Sequence, residues 1–398
     1  MSRLSHGVSL CLAVLILSAG IESAWAVPPA ENLMPEQPDF LFLATPYEPD
    51  EWRAAMPINS VLSKYSTGTE TGFDALLMAF DPEELLAKVR EFSDEARSPQ
   101  EVRVAFGAAT GHAAELLARR REFDIGNAAR YVRDVQFRPF DLRSVYLKKD
   151  LLKTNSFGVM AGLGPGRPAL VTTRQTKEHF GAFAIHGFAA HKCISGYDRS
   201  YIFPLLGADG VSHVAEAFRD VLQKARGAPL SSGEMFSHIL AVLNAPSYAH
   251  RFHGLLKRNF PRVPILLEQS AIQGIVRLGA QLTETYALSA RGHPEVVFEG
   301  ARSTEVGVCS YSNGFVTIGA GRFGGVSEQV WTHRVGAYQP CQQWLKDRRG
   351  HVLTDEDIEH YKRIIGAITE TIRIQKEIDE VIEAHGGWPA AFQGAESG

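Results

Sequence analysis

Cysteine is scarce: the 398 residues hold 4. One of them, Cys11, lies in an apolar N-terminal stretch, and the odd set Cys193, Cys309 and Cys341 that remains offers no disulfide framework. Stability must come from a buried core, which a chain of this length with 45% hydrophobic residues can supply. Paired C-x-x-C and H-x-x-x-H spacings are missing too. His179, His186, His191 and Cys193 crowd together in sequence, but no tight turn or helix aims two of them at one tetrahedral ion. There is no G-x-S-x-G nucleophile elbow, no G-x-x-x-x-G-K-S/T phosphate loop and no recognisable cluster of nuclease carboxylates. By itself the chain is expected to be catalytically silent.

Two glycine-rich segments fail as cofactor loops for physical reasons. Gly319-Ala-Gly321-Arg-Phe-Gly324 follows an apolar strand, but no βαβ context surrounds it and no acidic residue about 20 positions on stands at the end of a second strand to bind a ribose. In Gly162-Leu-Gly164-Pro-Gly166, Pro165 lacks the N–H that a phosphate needs, and a strand follows instead of a helix. The segment reads as a turn.

The net charge of −4 conceals a partition along the chain. Residues 1–118 carry 7 Lys/Arg and 17 Asp/Glu, residues 119–262 carry 22 and 11, and residues 263–398 carry 12 and 17. A basic middle third between acidic flanks suits a protein with one face toward phosphates and a soluble remainder. The N-terminus points elsewhere. Arg3 and His6 precede an apolar run over residues 8–17, and Ala24-Trp25-Ala26 has the form of a cleavage site, so residues 1–26 have the pattern of a secretory signal peptide.

The rest reads as mixed α and β. Residues 40–44, 75–80, 168–173, 201–203 and 315–318 are short apolar runs bounded by Gly, Pro or Asp, and are expected as strands. Asp81-Pro82 and the capping-box pattern Ser98-Pro99-Gln100-Glu101 start helices. Further helices are expected over 212–226, closed by Gly227, and over 232–243 and 247–260, broken at Pro246, with a shorter one over 326–335. The last helix starts at Thr354. It carries Ile358, Tyr361, Ile364, Ile365, Ile368, Ile372, Ile378 and Ile382 at mostly three- and four-residue spacings, interrupted at Gln375.

Several segments stand in a recognisable order. Asn59-Ser-Val-Leu-Ser-Lys-Tyr-Ser-Thr67-Gly68 precedes Phe137-Arg138-Pro139-Phe140-Asp141-Leu-Arg143 and Leu170-Val-Thr-Thr-Arg174-Gln175. Tyr201-Ile-Phe-Pro204, Ala241-Val-Leu-Asn-Ala-Pro246, Phe260-Pro-Arg262-Val-Pro264 and Trp344-Leu-Lys-Asp-Arg-Arg-Gly350 then follow. Over most of the chain after residue 40 this series resembles the C-terminal specificity region of type ISP restriction-modification enzymes and related adenine-specific DNA methyltransferases. The resemblance implies an α+β fold, a two-lobed DNA target-recognition module with short strands and a long C-terminal amphipathic helix. It implies a connecting lobe over 31–125, a target-recognition domain over 126–388 and a flexible tail over 389–398. Residues 1–26 are then signal-peptide-like or a fortuitous N-terminus from a truncated or re-started reading frame, and the location is cytoplasmic; a genuine leader would make it secreted or periplasmic.

The family's methyltransferases need a Gly-rich cofactor loop and a D/N-P-P-Y/F tetrapeptide for the flipped adenine. Neither is present, and Asn244-Ala-Pro246-Ser reads as a helix break. The expected partner is double-stranded DNA, with a separately encoded methyltransferase or translocase subunit as a further one. S-adenosylmethionine is expected only for a methyltransferase domain upstream, not for this chain. The residues expected to contact DNA are Arg138, Arg143, Lys148, Lys149, Lys153, Arg174, Gln175, Lys177, Lys192 and Arg199, in which cations would fix the protein on phosphates and a few side chains would read base edges. Two other readings stay open: an exported binding or enzyme domain, processed at Ala26, and an interaction remnant docked on a methyltransferase through the Ile-rich helix.

Overall fold

Thr354 starts the long C-terminal helix with a reciprocal cap. Its hydroxyl accepts the Asp357 N–H at 3.1 Å, and the Asp357 carboxylate accepts the Thr354 N–H at 3.0 Å. In this computed structural model, which describes residues 47–154, 156–289, 295–301 and 304–393, the helix runs from Asp355 to Ala384. Its 30 residues span about 45 Å. The buried stripe is Ile358, Tyr361, Ile364, Ile365, Ile368, Ile374, Ile378 and Ile382, so it shifts from the half-buried Ile372 to Ile374 where Gln375 breaks the pattern. This stripe packs on helix Gln269–Tyr286 and helix Ser232–Asn244 of the same chain. The surface that a docked remnant would need is thus already covered from within.

The expected caps form at Asp81 and at Ser98, whose capping box with Glu101 is complete, and Gly227 closes Glu216–Arg226 in the left-handed conformation. Strands Ala169–Thr173, Ser200–Pro204 and Phe315–Ile318 form where the apolar runs predict them. The expected strand over 75–80 is instead a helical turn, Asp74–Leu77, followed by the short strand Met78–Ala79. A short apolar run fits either state, and here the Thr71 hydroxyl bonded to Asp74 turns the chain. The expected helix over 247–260 is two short ones, Pro246–Arg251 and His253–Leu256, and the one over 326–335 shrinks to Glu328–Thr332. The strand expected over 40–44, the leader and residues 394–398 of the expected tail lie outside the described residues, while residues 389–393 of that tail are described and bury Ala391 and Phe392 in the larger core.

Two hydrophobic cores organise the described residues. The larger holds a four-stranded sheet, in the order Ser66–Thr67, Ser200–Pro204, Ala169–Thr173, Ala182–Ile185, together with the helices over 232–244, 269–286 and 355–384. The smaller gathers Leu76, Leu85, Val89, Phe92, Val102, Leu116, Phe123 and Tyr146 around a second sheet, in the order Met78–Ala79, Asp141–Tyr146, Val132–Arg138, Phe188–Ala189. The smaller core is an insertion in sequence: Trp52, Ile58, Val61 and Leu62 belong to the larger core, most buried residues from Leu76 to Leu152 to the smaller, and those from Met160 onward, Ala190 excepted, to the larger again. A third sheet contains Phe315–Ile318 and Arg322–Gly324, joined by Gly319-Ala320-Gly321. The apparent dinucleotide loop is therefore a hairpin turn, with Gly319 at φ +85° and the Ile318 N–H on the Gly321 carbonyl at 2.8 Å.

Candidate nucleic-acid interface

Two loops of the larger core meet edge to edge and carry half of the residues expected to touch DNA. The first follows strand Ala169–Thr173 and contains Arg174, Gln175 and Lys177; the second, over residues 190–199, contains Lys192 and Arg199. They are tied by the Lys177 N–H on Asp198 Oδ2 at 2.9 Å and by Ser195 Oγ on Glu178 Oε2 at 2.9 Å. Arg174, Lys177 and Arg199 are exposed, and Arg174 lies 6.0 Å from the Phe260 ring. Gln175 is exposed as well, and its amide donates to the Arg258 carbonyl at 3.1 Å. This contact brings the exposed Lys257 and Arg258 to the same edge. The sequence reading passed over both, although the adjacent cations of Lys257-Arg258-Asn259 were visible.

Lys148, Lys149 and Lys153 belong to the smaller core's side. The Lys148 ammonium donates to the Glu122 carbonyl, while Lys149 and Lys153 are exposed. Lys153 pairs with Glu70 at 2.7 Å, and this hydrogen bond is the main reason the Glu70 carboxyl is held below its usual pKa. His191 and Arg199 lower it further, so the field of Arg199 as well as that of Lys153 acts on Glu70. Lys192 turns inward along its loop, its ammonium 2.8 Å from the Gly196 carbonyl.

Two expected contacts are engaged elsewhere. Arg143 is 8% exposed, gives two hydrogen bonds to Asp141 Oδ2 at 2.7 and 3.0 Å, and lies 3.8 Å over the Phe80 ring. It holds the fold together and does not face solvent. Arg138 is partly buried between Phe137 and Tyr338 and pairs with Asp347 at 3.2 Å, not with Asp141. It lines a cavity of about 150 Å³ with Thr71, Asp74, His191, Lys192 and Tyr338. Cys193 is fully buried, its thiol pushed up to about 12 by desolvation, and among the described residues no group of His, Cys, Asp and Glu could hold a metal ion.

The family model of the type ISP C-terminal specificity domain matches residues 60–377. The chain belongs to this family. The specificity domain shares its fold with three solved structures at low sequence identity. In a DrdV–DNA complex the identity is 16% and the TM-score 0.64, with 80% of this chain and 36% of the other covered. For a nuclease-deletion mutant of the type ISP restriction-modification enzyme LlaGI with a DNA substrate mimic, the values are 14% and 0.61, covering 82% and 29%. For the ATP-dependent type ISP enzyme LlaBIII bound to DNA they are 11% and 0.63, covering 83% and 24%. The specificity domain thus spans between about a quarter and about a third of the solved chains it matches. No curated protein matches it in sequence.

Proposed function

We propose that this specificity domain reads the DNA target of a type ISP-like restriction-modification system. The match to the specificity-domain family over residues 60–377 carries the reading. The exposed Arg174, Lys177 and Arg199 of the two loops, with Lys257 and Arg258 beside them, give it a physical basis as a phosphate-facing edge. On this reading S-adenosylmethionine serves an associated adenine methyltransferase, either a neighbouring domain or a separately encoded subunit, and the site of action is the cytoplasm, where the DNA is. Residues Arg174, Lys177, Lys149, Lys153 and Arg199 would contact phosphates, while Gln175 ties the Arg258 backbone to the same edge.

Binding of the full chain to random-sequence duplex, measured at several salt concentrations, tests this. Affinity should fall steeply with salt, and Arg174→Ala with Lys177→Ala should lower the slope of log K against log salt by about 2. No binding at low ionic strength rejects the reading.

A further inference from the structure

Tyr197 is 74% exposed at the tip of the 190–199 loop. A single exposed aromatic is ordinary on a protein surface. What sets this one apart is how firmly the backbone beneath it is held. Ser195 Oγ accepts the N–H groups of Tyr197 at 3.2 Å and Asp198 at 2.9 Å while donating to Glu178, and the Gly196 N–H also reaches Glu178 Oε2, at 3.1 Å. From behind, the Tyr338 hydroxyl donates to the Lys192 carbonyl at 3.2 Å, and the Ala337 N–H donates to the Ile194 carbonyl at 2.9 Å. Ile194 and Ser200 are buried, with the Ile194 N–H on Ser200 Oγ at 3.2 Å. The backbone N–H groups of Gly196, Tyr197 and Asp198 are thus all taken up within the loop pair, while the phenol faces outward.

The charges around it are arranged to the same end. Glu178 and Asp198, the nearby carboxylates, accept N–H groups of the two loops themselves, and Asp198 takes that of Lys177. The exposed Lys177 is joined to this brace through its own N–H on Asp198, and the exposed Arg199 follows Asp198 in the chain. A braced loop that presents an aromatic ring in the same loop pair as phosphate-seeking cations loses little conformational entropy on binding. A tyrosine offers a flat apolar ring for a thymine methyl and one hydroxyl that donates or accepts at a base edge, with few torsions to freeze.

We propose that Tyr197 is the side chain through which this loop reads base edges in a DNA groove, an inference that rests on the DNA-reading role proposed above. The ring enters the groove while Lys177 and Arg199 engage the flanking phosphates. Glu178 and Ser195 are positioning residues: they fix the loop and do not touch DNA.

The test is selection of bound duplexes from a randomised pool by the full chain and by Tyr197→Ala, with a salt titration on random duplex for both. The exposed side chain makes no packing contribution large enough to unfold the variant, and equal melting temperatures check this. The wild type should enrich a motif. Tyr197→Ala should lose about tenfold in preference at one or two adjacent base pairs of it, with the other positions and the salt slope unchanged. Identical motifs overturn the inference, as does an even loss over all positions with a shallower salt slope, which would make Tyr197 a backbone contact. Salt-dependent wild-type binding without any motif rejects base reading and leaves DNA binding standing. Absence of wild-type binding rejects the DNA-reading role itself, and this inference with it.

Discussion

Arg348 reaches Asp141 across 207 positions, its Nη2 2.9 Å from Oδ1, while Arg143 holds the other carboxylate oxygen at 2.7 Å. Asp141 is 2% exposed and the two arginines 9% and 8%, so one buried carboxylate faces two guanidinium groups. Both guanidiniums lie on the Phe80 ring, and Arg348 also stacks 3.7 Å over Trp344. The arrangement joins the hairpin of the smaller core to helix Pro340–Asp347. Removing one member of a buried ion pair strands the other's charge. Asp141→Ala should therefore lower the unfolding free energy by about 3–5 kcal/mol. Urea unfolding would show it as a lower midpoint, and a change below about 1 kcal/mol would mean that water replaces the carboxylate.

The signature around Arg138 was legible as a pattern, but its tertiary partners were not. Phe137-Arg138-Pro139-Phe140-Asp141-Leu-Arg143 alternates aromatics and charges, which suits a DNA contact as well as a buried ion network. In the fold Arg138 and Asp141 meet Asp347 and Arg348, partners more than 200 positions away that no local pattern announces. Cap chemistry is local, so the starts at Asp81, Ser98 and Thr354 could be read directly. Helix Gln269–Tyr286 could not, because Glu268 makes no side-chain cap and small residues dilute its apolar stripe. The loop pair that carries Arg174, Lys177 and Arg199 was seen as separate cations. Its coherence comes from Glu178 and Asp198, acceptors whose role depends on tertiary contact.

Those small residues in helix Gln269–Tyr286 give a prediction with an unusual sign. In an exposed helix, Gly→Ala gains about 1 kcal/mol. At Gly279, however, an added Cβ would lie 1.9 Å from the Ser237 carbonyl oxygen of the neighbouring helix, and backbone cannot step aside cheaply. Gly279→Ala should destabilise by roughly 2 kcal/mol or more through forced separation of the two helices. Gly274→Ala, whose Cβ would meet Val381 methyls at 3.4 Å, is the internal control and should cost much less. Equal melting temperatures for the two variants would refute the close crossing.

His238 sits fully buried in helix Ser232–Asn244, and desolvation pushes its pKa down to about 4. The folded state therefore keeps the imidazole neutral, whereas in the unfolded chain it takes up a proton near pH 6.5. Its contribution to stability is present above about pH 6.5 and is lost progressively as the pH falls toward 4. At pH 5 the loss from this residue is about 2 kcal/mol. His333, also depressed to about 4 by burial, acts in the same direction. Urea unfolding of His238→Leu and wild type at pH 7 and pH 5 isolates the effect: the gap between the two proteins should shift in the variant's favour on acidification, and an unchanged gap would show that His238 stays hydrated.

Glu70 offers a gain instead of a loss. Its carboxylate, held in the charged form chiefly by Lys153, also lies within the field of Arg199, so two cations of the candidate interface share one neutralising partner. Neutralising it frees both for phosphates without altering the shape of either loop. Glu70→Gln should thus tighten binding to random duplex several-fold at low salt and steepen the salt dependence, with the advantage vanishing as screening shortens the reach of the charges. The Glu70 side chain is 15% exposed and its lysine partner 55%, and glutamine keeps an acceptor for Lys153, so the lost charge should cost stability by about 1 kcal/mol or less. Weaker DNA binding by a Glu70→Gln protein of normal melting temperature would mean that the Lys153–Glu70 pair positions the interface instead of restraining it.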